Sequence, residues 1–240
     1  MSARRKALLL VGSNKAFGST SEYIGTHLLS LLSLKGIETE KIHIKSSLNS
    51  EEGVVSLLES FESAGIIIFS SPLYIDSTPS AVTRLMEIIS ERYKNDGMLQ
   101  DKRMLAISNC GLPEASHNDT ALAVYRCFAG KTGLKWAGGL GLGMGPLLAG
   151  RPVEKSFSLV RNLRKSLEFA AGALAGNAVV PQESISLMAK PVIPVCLYSI
   201  IPALFYAYVR IACLIRGCKM KLKQLRFKKS GEPSGNKLPA

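Results

Sequence analysis

The chain has 240 residues, of which 47% are hydrophobic and 20% charged, and a formal net charge of +12. This composition excludes a disordered segment and leaves room for one well-packed domain plus an extension. The charge is uneven: from Arg210 onward nine basic residues and one acid carry +8, leaving +4 for everything before it.

Met1–Lys6 is basic, but the apolar run after it is too short for a secretory signal and breaks at once into a loop. The five cysteines are an odd number, so a cytoplasmic protein with reduced thiols is expected. Apolar runs and helix-period patterns then alternate. Strands are predicted at Ala7–Val11, Glu40–Ile44, Gly65–Phe69, Met104–Ser108 and Trp136–Leu142. Helices are predicted near Ser19–Leu34, Glu51–Phe61, Ser80–Tyr93, Asp119–Ala129 and Val153–Gly176. Thr78 and Pro79 suit a cap and a first helical position, and Gly130 suits a helix end. Alternating elements with short connections imply an α/β fold, a five-stranded parallel sheet with helices on both faces. In such sheets ligands bind beyond the carboxyl ends of the strands, which directs attention to 12–21, 70–79 and 109–119.

The first of these loops, "VGSNKAFGST", is rich in hydroxyls: Ser13, Ser19 and Thr20, with Ser21 next and Lys15 as its only charge. It lacks the lysine of a Walker A loop and the second glycine of the dinucleotide fingerprint. Hydroxyls and N–H groups at a helix start can wrap one terminal phosphate without a metal. An ordinary strand-to-helix turn capped by Ser19 or Thr20 explains the loop equally well. The second loop, "SSPLYIDSTPS", offers the Tyr74 ring as a stacking face. The third, "SNCGLPEASHND", offers polar edges at Asn109 and close backbone approach at Gly111. Cys110 reads as a small buried thiol or a reactive one, and His117 as a capping side chain or a proton donor. The histidines show no metal-ligand spacing, and the cysteines lack the grouping an iron–sulfur cluster needs.

Three pieces in order, "LLLVGSNKAFGSTSEY", "IIIFSSPLYIDSTPSAVTRLME" and "NCGLPEASHNDTALAVYRCFAGKTGLKWAGGLGLGMG", resemble the flavodoxin-like NAD(P)H-dependent FMN reductases over roughly residues 5–175. The resemblance implies a flavodoxin-like sheet, noncovalent FMN, NAD(P)H as electron donor and a small-molecule acceptor, commonly in a homodimer. By the same resemblance Ser13, Lys15, Ser19, Thr20 and Ser21 take the phosphate. Pro72, Leu73, Tyr74 and Ile75 border the flavin ring, and Asn109, Cys110 and Gly111 its other side. N–H groups near Asn109–Gly111 would stabilise negative charge on the reduced ring. Asn14 and Lys15 replace the family's usual proline and arginine, and Ser19 its asparagine; lysine keeps the charge but loses the forked donor geometry.

Pro191–Val209 is uncharged and is followed by Arg210 and a basic stretch to Lys229. The length could span a bilayer, but one span would separate the basic tail from a flavin domain fed with NAD(P)H. Pro191, Pro194 and Pro202 also weaken a straight helix. Two readings stand side by side: a segment lying on an anionic membrane surface, or a hydrophobic helical extension packed on the domain or across a dimer. The basic stretch has one aromatic, Phe227, and no nucleic-acid-binding module. The expected organisation is an FMN-binding domain over residues 1–178, a hydrophobic and basic extension over 179–230, and a disordered end over 231–240.

Overall fold

The computed structural model describes residues 5–15, 17–93, 99–148, 153, 160–198, 200 and 208–211. In chain order the elements are β1 (Lys6–Val11), α1 (Thr20–Ser33), β2 (Glu38–His43), α2 (Ile44–Ser47), α3 (Glu51–Ser63), β3 (Ile66–Pro72) and α4 (Ser80–Arg92). Then follow β4 (Arg103–Asn109), α5 (Asp119–Thr132), β5 (Lys135–Leu142), α6 (Arg161–Ala175) and α7 (Gln182–Ala189). The strands form one sheet in the order β2-β1-β3-β4-β5, all pairs parallel. This is the flavodoxin-like architecture that the family resemblance implies. Its switch point lies between β1 and β3, where the connections leave in opposite directions.

The strands read as continuously apolar because both faces are covered. Leu9, Val11, Ile66, Ile68, Leu105 and Ile107 pack against α1 and α6. Leu8, Leu10, Ile67, Phe69, Met104 and Ala106 pack against α3, α4 and α5 on the other side. Successive residues of one strand therefore feed two cores, as the two-residue side-chain period requires.

Several boundaries differ from the sequence expectation. β2 starts at Glu38 and ends at His43, and Ile44 opens the single-turn α2. α5 passes Gly130 and continues to Thr132, where Gly133 takes a left-handed conformation at φ 80°. Pro79 is the N-cap of α4 rather than its first helical residue. α6 is described from Arg161; residues 154–159 of the expected helix lie outside the described residues.

The chain divides into two compact units, residues 1–195 and 196–240. The expected boundary after residue 178 falls inside the first unit, because α7 packs against α6 and β5. Val180 N–H donates to the Ala137 carbonyl at 2.7 Å. Buried Ser166 and Ser184 each donate a hydroxyl proton to the other's backbone carbonyl, both at 2.7 Å. Ser184→Ala leaves the Ser166 carbonyl without this donor and is expected to cost about 1–2 kcal/mol, measured by chemical denaturation. A midpoint equal to wild type would show that the exchange does not hold α7. In the second unit few residues are described. Among the described residues no helix is long and apolar enough to cross a membrane. Most of 191–229, the stretch expected to touch a membrane or pack as an extension, lies outside them.

Candidate functional site

The β1–α1 loop is shaped by its own capping. Ser19 is the N-cap of α1 and accepts from Glu22 N–H at 3.1 Å. Glu22 reaches back and accepts from Gly18 N–H at 2.8 Å, one residue before the position an ordinary capping box would use. Gly18 permits this with a left-handed φ of 73°. Ser13 Oγ accepts from Lys15 N–H at 3.2 Å. Thr20 and Ser21 lie in the first turn of α1, where a helix leaves its N–H groups without intrahelical partners.

The loops after β1, β3, β4 and β5 meet in a cleft of about 300 Å³. Its walls are Ser13, Lys15, Ser19, Thr20 and Ser21 on one side, Pro72, Leu73 and Tyr74 on a second, and Asn109, Cys110 and Gly111 on a third. Of the twelve site residues expected from the sequence, eleven line this cleft. Ile75 does not; its side chain is 99% exposed at the tip of a hairpin. Tyr74 and Ser77 pair through two backbone bonds, and the residues between them, Ile75 and Asp76, have φ of 47° and 58°. A β-branched residue in that region is rare.

Asn109 ties the walls together. Its Nδ2 donates to Ser21 Oγ at 2.7 Å and to the Ser71 carbonyl at 3.1 Å. Ser70 Oγ donates to the Ser21 carbonyl at 2.7 Å, and Thr20 Oγ1 to the Gly145 carbonyl at 3.0 Å. Cys110 is buried, and its N–H donates to the Leu142 carbonyl at 2.9 Å. That donor, expected to face the flavin ring, is already engaged. His117 does not line the cleft; its Nε2 sits 3.5 Å from Glu114.

The donor set fits a phosphate at one end and a planar apolar group at the other. Ser13, Ser19 and Ser21 hydroxyls all act as acceptors in the bonds above, so each keeps an O–H proton to donate outward. Lys15 is exposed and supplies the positive charge, while Pro72, Leu73, Pro146 and the half-exposed Tyr74 ring supply flat apolar surface. Among the described residues no cluster of three or more metal-ligating side chains occurs.

A sequence profile of NADPH-dependent FMN reductases matches residues 5–125. The chain belongs to this family. As an FMN reductase of this kind it is an oxidoreductase that uses FMN as cofactor and NAD(P)H as electron donor. No curated protein sequence matches it significantly. Similar solved structures share the fold at low identity. An apo NADH:FMN oxidoreductase, EMOB, is 14% identical at a TM-score of 0.56, with 79% of this chain and 96% of that one covered. RosB with a bound formylriboflavin phosphate intermediate is 15% identical at 0.56, covering 97% and 100%. An FMN-dependent NADH-azoreductase from Bacillus anthracis, in complex with FMN, is 18% identical at 0.51, covering 71% and 100%.

Two parts of the reductase's site escape a reading of its loops. Gly145 and Pro146 come from the exit of β5, a fourth strand end on the same rim as the three loops singled out. Their signal was "GLGMGPLL", where glycines allow close approach: a Cβ on Gly145 would lie 2.9 Å from Asn109 Oδ1. The second part is the support behind the loop. Glu22 Oε1 lies 2.6 Å from Lys41 Nζ and 3.3 Å from His43 Nε2. Burial pushes the Glu22 carboxyl up, but the bonds from Lys41 and Gly18 and the nearby His43 outweigh it and hold it below its ordinary value.

Beneath the second loop, fully buried Tyr125 shares a hydrogen bond with Ser71 Oγ at 2.8 Å. Burial drives the Tyr125 phenol well above its ordinary value, and burial with Glu62 pushes Tyr93 up to about 12. Both folded values exceed the unfolded one, so the unfolded chain releases protons first as pH rises. Their stabilisation is intact below about pH 10 and is lost above it. Thermal melts between pH 8 and 11 should show a falling midpoint above pH 10, with a shallower fall in Tyr125→Phe. Identical slopes for the two proteins would refute the assignment to Tyr125.

Proposed function

We propose that the reductase holds FMN in this cleft and passes electrons from NAD(P)H to a small acceptor at the open face. Acceptors of the right class are quinones, nitro and azo compounds, metal ions and free flavin. The observation that carries the reading is the meeting of four loops in one cleft with hydroxyl donors at one end and flat apolar surface at the other. FMN, when bound, supplies the redox chemistry, and the chain's residues place it. Ser13, Ser19 and Ser21 donate hydroxyl protons to the phosphate, Thr20 contributes its N–H, and Lys15 the charge. Pro72, Leu73 and Tyr74 border one side of the ring and Asn109, Cys110 and Gly111 the other, with Ile75 at the mouth. Asn109 acts as a positioning residue, because its amide locks Ser21 to the end of β3.

A visible spectrum of the purified protein, taken anaerobically before and after each nicotinamide, tests this. A flavin spectrum bleached by NADH or NADPH is expected. A colourless protein that takes up no added FMN would overturn the reading, and a yellow one that neither nicotinamide bleaches would reduce it to an electron carrier.

Exposed Phe17, Ile75 and Leu112 make the loops around the cleft apolar, which suits a second copy completing the site. Analytical ultracentrifugation should give a dimer, and a monomer at all concentrations would remove that part. For the basic tail we propose peripheral contact with an anionic membrane on the cytoplasmic side, checked by pelleting with anionic vesicles at low and high salt. Failure to pellet at low salt would exclude it.

A further inference from the structure

His43 ends β2 directly behind the loop that follows β1. Side chains alternate along a strand, so Lys41 and His43 leave the same face of β2. Both meet the buried Glu22 carboxylate there: Lys41 Nζ lies 2.6 Å and His43 Nε2 3.3 Å from one oxygen, Oε1. The other oxygen, Oε2, accepts from Gly18 N–H at 2.8 Å. One carboxylate thus anchors the loop to two cationic side chains of β2. His43 differs from Lys41 in its bonding. Its side chain is 15% exposed, and both ring nitrogens are buried without a hydrogen-bond partner among the described residues. Nε2 stands at ion-pair distance from Glu22 but outside hydrogen-bonding geometry, and Phe17 of the loop packs edge-on against the ring at 5.7 Å. The charged groups facing the ring are Glu22 of α1, Lys41 of its own strand, and Lys45 of α2 and Lys15 of the loop, which share its pocket. No bond in place fixes the ring's proton count, and imidazole is the side chain whose charge changes near neutral pH.

We propose that His43 is a positioning residue for FMN that takes up a proton as the phosphate arrives, so that capture of the cofactor is linked to pH. The inference rests on the FMN reading above. Ser13 and Lys15 line both the main cleft and the pocket that holds His43, so a dianion on the loop lies close to the ring. The proton comes from water and lands on the bare ring nitrogen, since a neutral imidazole already carries one N–H. The imidazolium then faces Glu22 Oε1, tightens the anchor that holds Gly18, and offsets the charge of the phosphate. The sign follows from linkage. FMN-bound protein holds more protons than free protein, so affinity is highest at the acid end of the range and falls as pH rises. The second ionisation of a phosphate monoester, at about pH 6, works the other way, because the ligand becomes more negative as pH rises.

Fluorescence quenching of FMN in phosphate-free buffers, between about pH 6.5 and 8.5, gives the first test. Wild type should weaken about three- to tenfold across that range, whereas His43→Gln should stay level or tighten slightly. Calorimetry at about pH 7, in two buffers of unlike ionisation enthalpy, counts the protons directly. Wild type should take up about half a proton per FMN bound, and His43→Gln none. Riboflavin, which lacks the phosphate, should draw no proton into wild type. The proton count and the riboflavin control need only the wild-type chain, so a variant that fails to fold does not shield the proposal. FMN binding by wild type without proton uptake overturns it. So does an uptake that persists in His43→Gln or with riboflavin. Failure of wild type to bind FMN at any pH is the distinct result that brings down the reading beneath it.

Discussion

Gly12→Ala should lose about 2–3 kcal/mol of unfolding free energy and its hold on FMN, the cost expected for forcing extra volume into a packed core. Gly12 follows β1, and its N–H donates to the Ser70 carbonyl at 2.8 Å. A Cβ there would sit 2.4 Å from Val82 Cγ2 and 2.8 Å from Ser71 Cβ. Neither neighbour can give way cheaply. Val82 is buried in α4, where a β-branched side chain has essentially one rotamer. Ser71 is held through its hydroxyl by Tyr125. The strain therefore passes to the backbone of β3 or α4, whose connection carries Pro72, Leu73 and Tyr74. Gly130→Ala is the contrasting change: nothing lies within 4 Å of the added atom, the site is an exposed helix interior, and about 0.5–1 kcal/mol of stabilisation is expected. Urea denaturation with FMN titration checks both, and a Gly12→Ala protein as stable as wild type would disprove the packing argument.

Lys15→Glu should weaken FMN by about a hundredfold or more while leaving the apoprotein's stability within about 0.5 kcal/mol. Lys15 is exposed and lines the phosphate end of the cleft. Reversing its charge removes an ammonium donor and places a carboxylate against a phosphate dianion, two losses with the same sign. Lys15→Gln removes only the first and should fall between. Fluorescence quenching of FMN at several salt concentrations measures the series, and raised salt should narrow the gap between wild type and Lys15→Glu. Equal affinities across the three proteins would place the phosphate elsewhere.

The sheet was legible because its signal is strong in the interior. "GIIIFSS" is apolar without interruption, and a strand covered on both faces must be. β2 was shifted because it is an edge: none of its residues is fully buried, and Glu38, Glu40 and Lys41 are charged, so the apolar pattern there is faint. Gly130 looked like a helix end by residue type alone. Only the left-handed backbone at Gly133 distinguishes the true terminus, and backbone sign is not written in composition. Loop position and the family resemblance together pointed to residues that line one cleft. Its internal wiring was not legible: that the Cys110 N–H is taken by Leu142, or that Glu22 folds back onto Gly18, depends on contacts between distant segments. Ile75 was placed at the ring by the family resemblance, and the left-handed turn leaves it exposed.

Both rims of the sheet are closed to strand addition, by different means. Along β2 the charges of Glu38, Glu40 and Lys41 discourage a partner, while at β5 the Val180 N–H occupies the Ala137 carbonyl and α7 covers the flank. Cutting the chain after residue 178 would uncover a long, weakly charged ladder at β5. Removing the segment up to α7 is thus expected to let copies of this molecule stack edge to edge into insoluble material.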